Sequence, residues 1–234
     1  MAPHEWTALR RWLATLCGLV VLRSLGTIVA GYGSYLPSPD FRADFLLGRE
    51  ATFFRGGYRE AFIVHLLAGP PAMLLGLVLA SGTFRRRFPR SHRRLGWIEG
   101  AIVLFGVVPS GMVMAWHPLP TLPEAERFVA GLGFGVLAIL TGVTTTRGLL
   151  AARGRDHDAH GRWMRKLLAL LFSPVVLRIM GGLADSFLPT LPWTYPASAW
   201  ASWLLPLFVV ERLVPRRGPE AFSRPTRAES RPAG

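Results

Sequence analysis

The sequence predicts an all-α, polytopic transmembrane bundle of about six helices, and three observations point to it. Half of the 234 residues are hydrophobic and only 18% are charged, a balance too apolar for a water-facing surface of this size. The charges gather into short blocks between apolar runs of about 20 residues, the length that crosses a hydrocarbon core about 30 Å thick. The runs show no in–out alternation of the kind barrel strands need, so helices must satisfy their backbone groups.

The first span covers 9–35 and is interrupted by Arg23. A polar segment follows with Pro37, Pro39, Asp40, Asp44 and the Gly56-Gly57 pair. The second span, 61–83, ends at the block RRRFPRSHRR, and the third, 95–116, ends at the Pro-rich link HPLPTLP. The fourth, 128–150, runs into the charged block ARGRDHDAHGRWMRK. The fifth, 167–188, precedes the turn PTLPWTYP, and the sixth, 197–214, leads into a tail rich in Pro, Arg, Ser and Glu. Four units result: an N-terminal transmembrane helix with an exterior segment (1–60), a four-helix membrane core (61–188), a C-terminal transmembrane helix (189–214) and a disordered cytoplasmic tail (215–234).

Orientation follows from where the basic residues fall. The regions after spans two, four and six are strongly basic, whereas the links after spans three and five carry almost no Lys or Arg. Basic residues mark cytoplasmic loops, so the expectation is a bacterial inner-membrane protein with both termini in the cytoplasm. The first span continues too far, without a cleavage site of small residues, to be a removable leader, and reads as a retained signal anchor. The formal net charge of +13 therefore points to anionic lipid headgroups as the partner. Nucleic acid is not expected, because no zinc, helix-turn-helix or aromatic-ladder pattern accompanies the charge. Cys17 is the only cysteine, which excludes an intrachain disulfide and a thiolate metal site.

Small residues at helical spacing (Gly69 and Gly76, Gly131 and Gly135, Gly181 and Gly182) let helix backbones approach closely. Ionisable groups at membrane depth tend to face the bundle interior and mark sites, and Arg23, His65, Glu99, Arg147, Arg178 and Asp185 qualify. Arg147 and Glu99 lie near span ends and can snorkel to the headgroups. Arg178 is on the order of 20 Å from the start of span five, too deep to escape, and is expected to line an interior cavity. His160, Met164, Leu167, Leu171, Pro174, Arg178 and Asp185 share one face of a helix if it continues through Pro174, where a bend is expected. Asp185 is a candidate partner for Arg178.

The histidines sort by side. His65 and His117 fall at the exterior ends of spans two and three, and His92 and His160 at the cytoplasmic starts of spans three and five. Histidines in charged loops are ordinarily solvated; two at the entrances of two helices running the same way can instead face each other across a bundle and ligate metal or haem. No soluble metalloenzyme is indicated, since His157-x-x-His160 is too short a motif by itself. Ser91-His92 lacks the context of a catalytic serine.

Two stretches, HLLAGPPAMLLGLVLASGTFRRRFPRSHRRLGW from His65 and HDAHGRWMRKLLALLFSPVVLR from His157, resemble the bacterial predicted membrane proteins of the domain-of-unknown-function family 2306. The residues that carry the resemblance are His65, Gly69-Pro70, His92-Arg93, Gly96, His160, Trp163, Met164 and Arg178. Arg165 and Lys166 shift the terminal basic position of the family pattern by one. The resemblance implies a multi-pass membrane fold and no defined activity. The layout is also similar to the four-helix cores of cytochrome b561-like proteins. That likeness implies haem b held by His92 with His160 and by His65 with His117, propionates neutralised by Arg93, Arg162 and Arg165, and quinone or another electron carrier as partner. A transporter or lipid-handling protein, its cavity lined by Arg23, His65, Arg178 and Asp185, is the second reading. A membrane scaffold in which these groups satisfy one another is the third.

Overall fold

The computed structural model describes residues 3–43, 45–187 and 193–213. The tail at 215–234, the first half of the link at 189–196 and the side chain of Asp185 lie outside the described residues. Among the described residues seven long helices are present: α1 (Pro3–Ala30), α2 (Tyr58–Ala80), α3 (Pro89–Trp116), α4 (Glu124–Arg153), α5 (His157–Leu171), α6 (Ser173–Phe187) and α7 (Thr194–Leu213). No strand occurs among the described residues. Among the described residues four stretches are long and apolar enough to cross a membrane: α2, α3, α4 and His157–Ala184, which joins α5 to most of α6.

The helices overrun the apolar stretches at the basic end. The third begins at Pro89, with proline in the first turn where its missing N–H is no loss, and the fourth continues to Arg153. Hydropathy marks where hydrocarbon begins, whereas arginine is a good helix former and lets the helix project beyond it. Asp156 sets the start of α5 by accepting from the Ala159 amide at 2.8 Å, a cap worth about 1 kcal/mol.

Prolines shape the helices differently according to what replaces the lost hydrogen bond. Pro70 sits within a continuous α2; it cannot donate to the Leu66 carbonyl, and the Tyr32 hydroxyl, at the end of α1, donates there instead. Pro109 follows a π-helical turn, Ile102–Val107, inside α3. Ser110 Oγ reaches back to the Gly106 carbonyl at 2.5 Å and lies 3.2 Å from that of Val107. Just before Pro174 the helix is interrupted at Phe172 alone, α5 ending at Leu171 and α6 starting at Ser173.

The bundle is apolar outside and partly polar inside. Leu19, Phe105, Ile139 and Phe208 are exposed, while Ser110, Thr141, Thr144, Thr145, Ser198 and Ser202 are buried. This is the distribution a lipid solvent favours. Helices α2, α3, α4 and α5 form the core; α7 packs on α4, α5 and α6. It is keyed there by Trp200, whose Nε1 donates to the Val129 carbonyl at 3.0 Å beside Gly133. Val21 and Leu25 of α1 pack with Met73 of α2 and Val175 of α6. Of the small residues picked out by spacing, Gly76 and Gly131 sit at close contacts. A Cβ on Gly131 would lie 2.7 Å from the Ala115 carbonyl oxygen, whereas Gly69, Gly181 and Gly182 face open space.

Candidate functional site

Two clusters of ionisable side chains stand at opposite ends of the core. At the arginine-rich end, His92 in the first turn of α3 and His160 in the first turn of α5 lie within electrostatic reach of each other. His160 Nδ1 is 2.9 Å from the Gly148 carbonyl of α4. A carbonyl can only accept, so Nδ1 carries the proton and Nε2 is left with a lone pair. The His92 ring is half-buried, and its Nδ1 is buried without a hydrogen-bond partner. Gly148 admits Met164 and Trp163 so closely that a Cβ there would be 2.7 Å from Met164 Sδ. Gly96, one turn beyond His92, has no neighbour within 4 Å of where a Cβ would stand. Arg93, with Pro89, Arg90 and Arg94, lines a hollow of about 400 Å³, and Arg162 is exposed at the same end.

Glu99 belongs to this half of the core. It follows His92 by seven residues, two turns on the same face of α3, and is 1% exposed. A Cβ on Gly76 of α2 would stand 2.9 Å from its Oε1 and 3.2 Å from Leu168 Cδ1 of α5. The carboxyl thus points into the seam of three helices. Snorkelling, the expectation for a residue so near a span end, does not occur.

The opposite end is closed by the segment between α1 and α2. Arg49 is 5% exposed there. Its Nη1 donates to the His117 carbonyl at 3.0 Å, and its guanidinium stands 5.4 Å and 5.7 Å from the ring centroids of Phe45 and Tyr58. It also lies within electrostatic reach of the Tyr195 hydroxyl on α7. His117 Nδ1 donates to the Val113 carbonyl at 2.9 Å. The far edge of its ring faces Gly56, where a φ of +61° disfavours a side chain and an added Cβ would stand 2.9 Å from Nε2.

His65 and His117 are not brought face to face. His65 Nδ1 lies 2.9 Å from Ser110 Oγ, seven residues below His117 on α3, whereas His117 stacks edge-on against Tyr58 at the mouth of the bundle. Since the Ser110 proton goes to the Gly106 carbonyl, Ser110 accepts from His65. Arg23, His65 and Arg178 do not converge either. Arg23 and Arg178 are exposed on the bundle surface, and Arg178 Nη1 donates to the Pro174 carbonyl at 3.3 Å. The shared helical face drawn from His160 to Asp185 therefore holds through Leu167 and Leu171, which are buried, and fails at Arg178, which is exposed. Arg49 and Ser110 had no sequence signal beyond an arginine among loop acids and a serine after a proline. Glu99 had one, its spacing of seven from His92.

An apolar-sided helical bundle with ionisable residues buried between its spans is an integral membrane protein. The chain belongs to the DUF2306 family of predicted membrane proteins, whose family model matches residues 62–214, well over half of its length. Neither a curated protein nor a solved structure matches it.

Proposed function

We propose that this protein is a membrane electron-transfer protein that holds haem b between His92 and His160 at the arginine-rich end of its core. The observation that carries the reading is the pairing itself. Two imidazoles in the first turns of different spans lie within electrostatic reach of each other, and the ring of His160 is held by Gly148 with Nε2 left able to bind a metal, as carbonyls behind a metal site orient ligand histidines. The residues fit such a group. His92 Nδ1 is a buried polar atom still lacking a partner, and Gly96 leaves space one turn above it. Haem held by two imidazoles supplies a one-electron couple.

The chain's own part is to orient and to neutralise. Gly148 selects the tautomer of His160, Trp163 and Met164 close the α4 side, and Arg93 and Arg162 are placed for charge-assisted hydrogen bonds to carboxylates. Quinone or another small carrier is the partner this chemistry calls for, and anionic headgroups suit the surrounding arginines. The test is spectral. Protein produced with haem supplied and purified in detergent should show the reduced bands of low-spin haem b, and His92→Ala and His160→Ala should each abolish them. A colourless parent protein, or bands indifferent to both substitutions, overturns the reading.

A further inference from the structure

Glu99 is a carboxyl group that the pairing of His92 with His160 does not use. By sequence it lies about 6 Å, four residues at 1.5 Å each, inside the apolar part of α3. A glutamate there can reach water by extending along the helix, yet this one is turned inward and 1% exposed. Its Oε2 is buried without a hydrogen-bond partner, and among the described residues no charged group acts on it. An unpaired carboxylate in such a place costs several kcal/mol, so something must neutralise it.

The neighbouring elements offer nothing charged for that task. From α2 it meets Gly76, and no ionisable residue stands on that helix between His65 and its end. From α5 it meets Leu168; His160 is two turns away, and Lys166 is engaged with Glu211 at 2.5 Å. On α4, Arg147 is exposed, and the buried Thr141, Thr144 and Thr145 donate to carbonyls of their own helix. On its own helix, His92 lies two turns toward the arginine-rich end. A metal ion is equally unsuited: hard cations want six or more oxygens, and the described residues hold no group of three candidate ligands. A proton needs a single oxygen.

We propose that Glu99 is a proton-exchanging site inside the membrane core, holding a proton at rest and trading it with water at the arginine-rich end. In uptake the carboxylate and a hydronium ion give the carboxylic acid and water, and release is the reverse. This site is independent of haem, because it needs only the carboxyl and its surroundings.

The test is infrared spectroscopy of the purified protein in lipid nanodiscs. The parent should show, at neutral pH, a carbonyl band of a protonated carboxyl that shifts to lower wavenumber in D₂O and fades reversibly as pH is raised. Glu99→Gln should lose that band, and Glu99→Asp should keep a displaced one, which secures the assignment if the glutamine variant fails to assemble. No band assignable to Glu99, or one insensitive to both D₂O and pH, overturns the proposal. Neither result depends on whether the protein is coloured.

Discussion

Placing a methyl group on Gly131 forces it against the backbone of the neighbouring helix. The added Cβ would stand 2.7 Å from the Ala115 carbonyl oxygen, where a carbon and a carbonyl oxygen ordinarily settle at about 3.3–3.6 Å. α3 and α4 would have to separate by roughly 0.6–0.9 Å at this point. No side-chain rotation relieves a contact whose other member is main chain. Overpacking of this kind costs about 1–3 kcal/mol, set against a gain of up to about 1 kcal/mol from replacing glycine by alanine in a helix. The net expectation for Gly131→Ala is a loss of up to about 2 kcal/mol, or a fall of up to roughly 30-fold in the folded ratio. Gly69→Ala is the control, because its Cβ would meet nothing within 4 Å. Reversible unfolding in mixed micelles, followed by tryptophan fluorescence, measures both. A Gly131→Ala protein as stable as Gly69→Ala would refute the close approach of α3 and α4.

The asymmetry of the basic loops predicts that reporter fusions after Arg90 and Arg155 give a cytoplasmic signal and a fusion after Pro120 an exterior one; a cytoplasmic signal at Pro120 would overturn the orientation. Arg49→Met removes the donor to the His117 carbonyl and both ring contacts. It should lower stability by about 1.5–3 kcal/mol, the range for a hydrogen bond from a charged group, read as a lower unfolding midpoint. A midpoint equal to the parent's would mean that Arg49 is not what fastens the 36–57 segment to the bundle.

The all-helical membrane fold was legible in the sequence because lipid leaves a spanning chain few alternatives: every backbone group must be paired within the segment or within a closed barrel. Periodicity also placed Gly76 and Gly131 at contacts. What failed was inference from depth alone. Arg178 was assigned to the interior because it lies far along span five, but depth does not fix rotation: beyond Pro174, Val175 is buried whereas Arg178 is exposed. For Glu99 both an interior place and snorkelling stayed open, because depth along a helix is readable from sequence while rotation toward a neighbour is not. Arg49 lay in a stretch without periodicity, and its burial depends on how the 36–57 segment folds over Tyr58 and His117, which only the three-dimensional arrangement reveals.

The π-turn at Ile102–Val107 gives α3 one residue more than a plain α-helix of that height would use. Each residue advances a helix by about 100°, so everything after the turn is rotated relative to what precedes it. Glu99 and His92 take their heading from the segment below, Ser110 and His117 from the segment above. The two ends of this span are therefore aimed independently. Sequence drift on one side need not redirect the other, while a single-residue deletion between positions 102 and 107 would remove the extra residue and return this turn to a plain α-helix of the same height.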